Sequence, residues 1–385
     1  MTGRKGNQMI KKILYIRSGP YKVDPNSYNL QELGLAQAFA MCGVQCDVVY
    51  YHDKKNSDEI IKKGEYDINV FWRRGIKLLR SGIYPQLLKR DFLSVYDAVI
   101  VSEYSQIMSV LICKLHSNVY INNGPYYNLF KLPFLESIYD NLFVKTINKN
   151  VRTIFCKTKM SKEYLEKKGF RNCIVAGVGL DTDKFDKDNE IEDSTQDLLD
   201  RMNGKNNIVY VGSISRRKNI EVITKAFDII VKRNSINSQL IIIGKDENGY
   251  WNECEKYLSE EAKKYVLNVS YIKNSQLQYI YKAADVFVLP SIHEIFGMVL
   301  LEAMYFGVPS IASGSAGAKT LIENNISGYV IENFDEQDWA NKIEEILSDE
   351  TLKRKMGLEA SNRIRNKFTW INIAEIMLKR MKNDE

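Results

Sequence analysis

The sequence predicts an α/β protein made of two doubly wound, Rossmann-like domains in tandem. Three observations lead to this prediction. The chain of 385 residues is too long for one ordinary core. Short apolar runs alternate with amphipathic helical stretches, which is the pattern of a parallel sheet covered by helices on both faces. The alternation stops once at a polar, acidic stretch and then restarts, so the same kind of unit is expected twice.

The first half of the chain supplies the N-terminal domain, which we place at residues 1–180. Residues 12–16 (KILYI) predict a buried first strand. Residues 30–43 (LQELGLAQAFAMCG) carry apolar side chains at helical spacing and stop at a glycine, which predicts a helix. Further strands are predicted at residues 46–51, 98–101, 119–122 and 152–156, and the strand at 152–156 is expected to be the last of this half.

The second half repeats this alternation after a linker. Residues 181–205 are rich in charged and polar side chains with little periodicity, so we interpret them as the connection between the domains. The C-terminal domain is then predicted at residues 206–365. Its strands are predicted at residues 208–212, 239–244, 269–272, 286–290 and 309–312, and its helices include residues 220–232 and 297–306.

Composition and charge exclude several classes of function. Apolar residues make up 45% of the chain and charged residues 26%, which is globular composition. No uncharged stretch reaches the roughly 20 apolar residues of a membrane-spanning helix, and the N-terminus lacks the apolar core of a secretory signal. A zinc site is not expected, because the six cysteines form no pair of CxxC units and the chain has only three histidines. We therefore expect a cytoplasmic protein with reduced cysteines. The net charge of +6 is too small to indicate binding of nucleic acid.

The most informative stretch for function is residues 284–330, in which a short loop with His293 and Glu294 follows an apolar strand. Gly297 then opens a helix, and the free N–H groups of a helix N-terminus suit a phosphate group. Glu302 lies between one and two turns inside this helix, so the two carboxylates are expected at different depths of one pocket. Proteins commonly bind a ribose or a hexose through a carboxylate that accepts hydrogen bonds from two of the sugar's hydroxyl groups. Ligands of open parallel sheets bind beyond the carboxyl ends of strands, so we expect the site in a cleft between the domains.

These motifs resemble those of the retaining glycosyltransferases of family 4, group 1 transferases with a GT-B fold that include capsular and exopolysaccharide enzymes. The resemblance also covers residues 28–49 (YNLQELGLAQAFAMCGVQCDVV), 178–185 (VGLDTDKF), 211–219 (VGSISRRKN) and 241–246 (IIIGKD), in the order that the family has them. It implies two domains that face each other across a cleft, and a segment, residues 366–385, that packs back on the N-terminal domain. It also implies transfer of a sugar with retention from a nucleotide-sugar, which we expect to be a UDP-sugar, without metal or cofactor.

The resemblance implies roles for residues on the donor side of the predicted site. Glu302 is expected to hold the ribose hydroxyls of the nucleotide, and Glu294 to contact the transferred sugar. Lys218 is expected to neutralise the diphosphate, whose charge grows as the glycosidic bond breaks. Glu294 and Lys218 are therefore the predicted catalytic residues. The other predicted donor-binding residues are Ile295, Phe296, Gly297, Gly212, Ser213, Arg217 and Gly244. No DxD motif ends a strand, which agrees with a metal-independent family.

Two of the chain's departures from the family pattern concern predicted site residues. The family has an arginine where this chain has Ser213, and Arg216 or Arg217 is then the candidate for the missing charge. The N-domain histidine of the family is missing from residues 119–127 (VYINNGPYY), where Asn122, Asn123 or the Gly124 backbone takes its place. The predicted acceptor-side residues are Asn123, Gly124 and Tyr28. They are expected to bind a saccharide or a lipid-linked saccharide.

A separate feature is the basic segment at residues 69–90, which has six Lys or Arg residues and no Asp or Glu. Aromatic and aliphatic side chains are interleaved with its cations. Such a segment can rest on an anionic bilayer, which would place the protein peripherally at the inner face of the membrane. The alternative interpretation is the ordinary solvated face of a domain helix. Gly75, Gly82 and Pro85 favour this alternative, because they interrupt the continuous amphipathic helix that would lie on a bilayer.

Two other functions remain open. A non-catalytic subunit that binds a nucleotide-sugar or a partner transferase would explain Ser213 and the missing histidine, although Glu294, Glu302 and Lys218 argue against it. A nucleotide-sugar epimerase on the same architecture needs a catalytic histidine, and none of the three histidines has a matching context. A dehydrogenase is disfavoured because no GxGxxG follows the first strand. The predicted function is thus a glycosyltransferase of surface polysaccharide or glycolipid assembly.

Overall fold

The computed structural model describes residues 10–24, 30–130, 132–185, 190–234 and 236–384 of the chain. It contains two compact units. The first unit is made of Met1–Asp181 together with Thr369–Glu385, and the second unit is Thr182–Phe368. Within the described ranges, no helix is both long enough and apolar enough to span a membrane.

The first unit is built on one large sheet. The strands of this unit are β1 (Lys12–Ile16), β2 (Gln45–His52), β3 (Ser57–Lys63), β4 (Tyr66–Arg74), β5 (Ile76–Leu78), β6 (Ser81–Ile83), β7 (Ala98–Ser102), β8 (Val119–Asn123), β9 (Val151–Cys156) and β10 (Cys173–Val175). The sheet order is β10-β9-β8-β7-β1-β2-β4-β3, with β5 and β6 forming a separate hairpin. All neighbours in the sheet are parallel except β3 and β4.

Helices connect these strands and cover the sheet. They are α1 (Gln31–Met41), α2 (Arg90–Leu93), α3 (Ile107–Leu115), α4 (Pro133–Asn150) and α5 (Lys159–Lys167). The central strand β1 is apolar on both faces, and Ile13, Leu14 and Ile16 have no exposed surface. Strands of a parallel sheet are buried on both faces because the crossover helices pack on each side.

The second unit contains a six-stranded sheet in which all neighbours are parallel. Its strands are β11 (Asn206–Val211), β12 (Ser238–Ile243), β13 (Val266–Val269), β14 (Val286–Leu289), β15 (Ser310–Ser313) and β16 (Gly328–Ile331), and its helices are α6 (Asp193–Met202), α7 (Ile220–Arg233), α8 (Trp251–Cys254), α9 (Glu260–Lys263), α10 (Leu277–Lys282), α11 (Met298–Tyr305), α12 (Ala316–Leu321), α13 (Glu336–Ser348) and α14 (Glu350–Lys367). The order β13-β12-β11-β14-β15-β16 is that of nucleotide-binding Rossmann sheets. Its direction reverses between β11 and β14, which is where such sheets bind ligands.

The chain returns to the first unit through α15 (Trp370–Asn383), which packs against α1. Trp370 occupies a notch that two glycines leave open. A Cβ on Gly34 would lie 2.2 Å from the Trp370 Nε1, and a Cβ on Gly179 would lie 2.5 Å from the Trp370 Cα. The indole can dock here only because both positions lack a side chain.

The structure corrects the predicted elements of the first unit. The strand at 152–156 is not the last, because β10 follows it; a strand of three residues has too little periodicity to be recognised. Strands β3 and β4 were not predicted, and β3 is a polar edge strand without an apolar run. The basic segment at 69–90 lies in β4, the β5–β6 hairpin and a short turn. Its interpretation as the face of a helix is therefore wrong.

The predicted elements of the second unit also need correction. The predicted linker at 181–205 contains α6, whose Leu198 and Met202 are buried in the second unit. This amphipathic helix was missed because its apolar side chains are few among many charged ones. Strand β13 begins three residues before the predicted strand at 269–272, and β16 was not predicted.

Candidate functional site

The candidate site of the second unit is formed by the loops that follow β11 and β14, the two strands at the reversal of the sheet order. Residues 212–219 form the first loop and residues 290–297 the second. The strands are parallel neighbours, so both loops leave the same edge of the sheet. The loops also contact each other directly, since the Ile292 N–H donates to the Arg217 carbonyl at 2.9 Å.

Two predicted donor-binding glycines, Gly212 and Gly244, lie in close contact at the ends of β11 and β12. A Cβ on Gly244 would lie 1.9 Å from the Gly212 carbonyl oxygen. A side chain there would push the first loop away from the sheet, so Gly244 has a packing role at the base of the site. Ser213 follows in the loop, and its carbonyl accepts a hydrogen bond from the Tyr210 hydroxyl at 2.8 Å.

The two predicted catalytic residues form an ion pair. The Lys218 Nζ donates to the Glu294 Oε2 at 2.5 Å, and the two side chains are only 11% and 16% exposed. Burial and the Glu294 carboxylate together raise the pKa of the nearby Tyr210 hydroxyl. A largely desolvated cation and carboxylate interact strongly, and each depends on the other for compensation of its charge.

Of the two arginines proposed to replace the family arginine at Ser213, only Arg217 contacts this pair. Its Nη1 lies 3.8 Å from the Glu294 Oε2 and donates to the His293 carbonyl at 3.0 Å. Arg216 instead pairs with Glu253, at 2.7 Å, in an exposed position. The positive charge beside Glu294 therefore comes from Lys218 and Arg217.

The second loop ends in a tight turn at the start of α11. Gly297 has φ of 81°, a left-handed conformation that glycine adopts without strain. Phe296 is 3% exposed and its ring packs on Phe368, so its predicted contact with a donor is possible only through its backbone. A Cβ on Gly317 at the start of α12 would lie 2.0 Å from the Phe296 carbonyl oxygen. The backbone of Ile295 and Gly297 is thus held between two helix N-termini.

The second predicted carboxylate, Glu302, lies deeper than Glu294. It is 1% exposed, against 16% for the Glu294 side chain. The Tyr281 hydroxyl of α10 donates to the Glu302 Oε2 at 3.0 Å. Burial and this carboxylate raise the pKa of Tyr281, so it stays protonated as a donor. Sequence reasoning missed Tyr281, since nothing in its local pattern indicates a partner 21 residues away.

A polar cavity of about 240 Å³ lies in the first unit, where β1, β7, β8 and β9 end. Its lining includes Arg17, Gln31, Glu32, Glu103, Asn122 and Lys157. The Arg17 Nη1 lies 3.6 Å from the Glu32 Oε2, and the Lys157 Nζ donates to the Gln31 Oε1 at 2.7 Å. Burial lowers the pKa of Lys157. Paired charges and amides of this kind suit a ligand with several hydroxyl groups.

The predicted acceptor-side residues do not line this cavity. Asn123 is fully buried, and its amide nitrogen donates to the Pro125 carbonyl at 3.1 Å and to the Ser161 hydroxyl at 3.0 Å. Gly124 is also buried, and Tyr28 lies outside the described residues. The neighbouring Asn122 lines the cavity instead. Adjacent residues of a strand point to opposite faces, and the sequence did not indicate which face was buried.

No group of three or more metal-ligating side chains is present in the described part of the chain. The Lys218 and Arg217 side chains are the cationic groups that contact Glu294 among the described residues.

Residues 194–363 match the family model of glycosyl transferases group 1. CapM of Staphylococcus aureus, a capsular polysaccharide biosynthesis glycosyltransferase, is 33% identical over 50% of this chain and 49% of its own. The uncharacterized glycosyltransferase MJ1607 of Methanocaldococcus jannaschii is 31% identical over 44% of this chain and 42% of its own. The chain thus spans about half the length of the curated relatives it matches.

Structural similarity to solved proteins extends over nearly the whole chain. HepE of Anabaena, solved in complex with UDP, superposes with a TM-score of 0.72 over 97% of this chain and 100% of its own, at 16% identity. Sucrose-phosphate synthase of Thermosynechococcus elongatus superposes with a TM-score of 0.70 over 96% and 98%, at 19% identity. This degree of similarity shows a shared fold.

The fold of the chain is therefore that of the GT-B class. More particularly, residues 194–363, which lie in the second unit, are similar to the glycosyl transferases of group 1. The resemblance found in the sequence is confirmed at this level.

Proposed function

We propose that the protein is a retaining, metal-independent glycosyltransferase that moves a sugar from a UDP-sugar to a saccharide or lipid-linked saccharide. The observation that carries this proposal is the Lys218–Glu294 pair at the reversal of the sheet order. Ligands of such sheets bind outside the carboxyl ends of the strands at this point. The pair places a cation for a diphosphate beside a carboxylate for sugar hydroxyls.

The donor side of the reaction follows from these charges. Glu294 neutralises Lys218 and lies near Arg217. A bound diphosphate offers the two cations a second anion, which frees Glu294 to accept hydrogen bonds from the hydroxyls of the sugar. As the bond between the anomeric carbon and the diphosphate oxygen breaks, negative charge grows on the diphosphate. Lys218 then stabilises the transition state more than the ground state, which accelerates the reaction.

The acceptor is proposed to bind in the polar cavity of the first unit, with Lys157, Glu103 and Asn122 as hydrogen-bonding partners. Its hydroxyl oxygen attacks the anomeric carbon from the side on which the diphosphate leaves, and its proton passes to a diphosphate oxygen. This front-face exchange retains the configuration and needs no protein nucleophile. The resemblance to retaining family members supports this course.

Known relatives support the choice of substrates. HepE has been solved with UDP and with UDP-glucose, which supports a UDP-sugar donor. CapM is a capsular polysaccharide biosynthesis glycosyltransferase, which supports a role in surface polysaccharide or glycolipid assembly.

The proposal is tested by a thermal-shift screen of the purified protein with UDP-, GDP-, ADP- and CDP-sugars, followed by a transfer assay. Ligand stabilisation rises with concentration over affinity, so UDP-sugars should raise Tm most. Product analysis by NMR should show the anomeric configuration of the donor, without added metal and in the presence of EDTA. A Tm that no nucleotide-sugar changes, or a product with inverted configuration, would contradict the proposal.

A non-catalytic nucleotide-sugar-binding subunit is the second candidate, and Ser213 in place of the family arginine favours it. Arg217 beside Glu294 weighs against it, because the charge that Ser213 lacks is available from a neighbouring position. A thermal shift with UDP-sugars but no hydrolysis or transfer under any condition would support this second candidate.

A further inference from the structure

Helix α4 of the first unit exposes large apolar side chains along one face. Phe134, Ile138 and Leu142 are 57%, 48% and 61% exposed. Their spacing of four residues places them on the same side of the helix. The solvent-facing side of a helix is normally polar, so this face is suited to contact with another apolar surface.

Two lysines lie on the same face, closer to the C-terminal end of the helix. Lys145 and Lys149 are exposed three and seven residues beyond Leu142. The acidic residues of α4 are Glu136 and Asp140, and both pair with Lys168, which follows α5. One lysine balances only one of the two negative charges, but both carboxylates are held at Lys168 and not in the exposed apolar face. The exposed face presents apolar side chains followed by two lysines, and no carboxylate of α4 belongs to it.

The opposite face of α4 holds the helix in place. Ile147 is fully buried, and the Tyr139 hydroxyl donates to the Tyr104 carbonyl at 2.8 Å. The helix cannot rotate to bury Phe134, Ile138 and Leu142 without removing this face from the core. The exposure of the apolar side chains is thus a fixed property of the fold.

A second apolar surface belongs to the β5–β6 hairpin, inside the basic segment at 69–90. Ile76, Leu78 and Leu79 are 61%, 47% and 56% exposed. Strand β6 contacts α3, and α3 contacts α4. The hairpin and α4 are therefore both neighbours of one helix in the same unit.

We propose that the α4 surface, formed by Phe134, Ile138, Leu142, Lys145 and Lys149, docks on a lipid bilayer that contains anionic lipids. Apolar side chains on a helix with flanking lysines insert at the boundary between headgroups and acyl chains, and the lysines attract anionic headgroups. The sequence offered the segment at 69–90 as one candidate for membrane contact, with an ordinary solvated face as the alternative. The exposed apolar side chains of α4 assign the principal membrane contact to α4 and not to this segment.

A second copy of the chain suits this surface less well than a bilayer. A two-fold contact places the same face opposite itself. Lys145 and Lys149 would then meet no carboxylate of the partner's α4, and three side chains of one helix fall short of the roughly 800 Å² per partner of stable interfaces. A bilayer supplies the missing negative charge.

The test is vesicle flotation of the full-length protein with phosphatidylcholine vesicles, with and without phosphatidylglycerol. The wild type should float with the anionic vesicles and be released by high salt. The variant F134S/I138S/L142S should lose binding, and K145E/K149E should weaken it about tenfold or more, since each lysine near such a surface contributes about a fivefold effect. The matched control is K355E/L358S on α14, because Leu358 is also 61% exposed and lies in the other unit.

Four outcomes would overturn the proposal. In flotation, these are a wild-type protein that does not float, an α4 variant that floats as well as the control variant, and a loss of flotation only in the hairpin variant I76S/L78S. In light scattering, the fourth is a dimer of the wild type that dissociates only when the α4 surface is substituted. The side chains substituted on α4, on α14 and in the hairpin are exposed, so unchanged Tm values verify that these variants fold. Docking does not require catalysis, and K218A should float like the wild type. Failure of the α4 surface is thereby distinguished from failure of the proposed transferase.

Discussion

Lys218 and Glu294 are 76 positions apart in the chain, and their side chains form one hydrogen-bonded ion pair where β11 and β14 end. The pair brings together the first and fourth strands of the second unit's sheet in chain order. A lysine and a glutamate that are largely shielded from water at this place connect the fold to the chemistry that we propose.

Replacement of Lys218 by alanine is expected to lower kcat about 10²-fold or more, because removing one preorganised donor to a developing anion typically has this effect. Steady-state kinetics with a UDP-sugar measures it. The matched control is K225A, which removes a lysine that pairs with Glu221 on the surface of α7. Equal kcat values for K218A and K225A would rule out the proposed role.

Replacement of Tyr281 by phenylalanine removes the hydroxyl that donates to Glu302. If Glu302 holds the ribose, its carboxylate loses a positioning partner, and KM for the donor should rise about tenfold with a smaller change in kcat. Y271F serves as the control, because Tyr271 is 70% exposed. A Y281F enzyme with lower Tm but an unchanged KM would limit Tyr281 to a structural role.

Replacement of Gly34 by alanine should destabilise the first unit by about 1–3 kcal/mol, since a Cβ at 2.2 Å from the Trp370 Nε1 forces the indole out of its notch. Urea unfolding measures this. The effect should be largely absent in a W370L background, because residues in contact are not additive. Additive free energies in the double-mutant cycle would contradict the proposed contact.

The lowered pKa of Lys157 leads us to expect that the stability of the protein depends on pH. Burial lowers its pKa in the folded state, so the unfolded chain binds more protons between the folded and the ordinary lysine pKa. Stability attributable to Lys157 therefore rises with pH through this window. K157M should stabilise the protein at neutral pH, and the gain should shrink as the pH approaches the ordinary lysine value. Urea unfolding midpoints at neutral and alkaline pH measure this, and a constant gain would contradict the prediction.

Much of the fold was predictable because apolar periodicity is a local property. The strand at 12–16 and the helix at 220–232 were found within a residue of β1 and α7, since each has a continuous apolar run or face. Elements without such a run were missed. Strand β3 is polar and lies at the sheet edge, and the apolar face of α6 contains few residues.

The candidate site was predictable in its donor half and less so in its acceptor half. Glu294, Glu302 and Lys218 lie in motifs whose spacing places them near strand ends. Asn123 was chosen over Asn122 within the same motif, and the structure buries Asn123. Which of two neighbouring strand residues faces the core depends on the sheet that surrounds them, and the motif does not contain this information.

The amino-acid sequence by itself determined the two doubly wound units, the family resemblance and the loop that carries Glu294, because local spacing encodes them. Tertiary structure alone decided that Arg217 and not Arg216 lies beside Glu294, that Tyr281 holds Glu302, and that α4 exposes its apolar face. Each of these depends on contacts between residues distant in the chain. Such contacts are set by how the elements pack, and no short window of sequence specifies them.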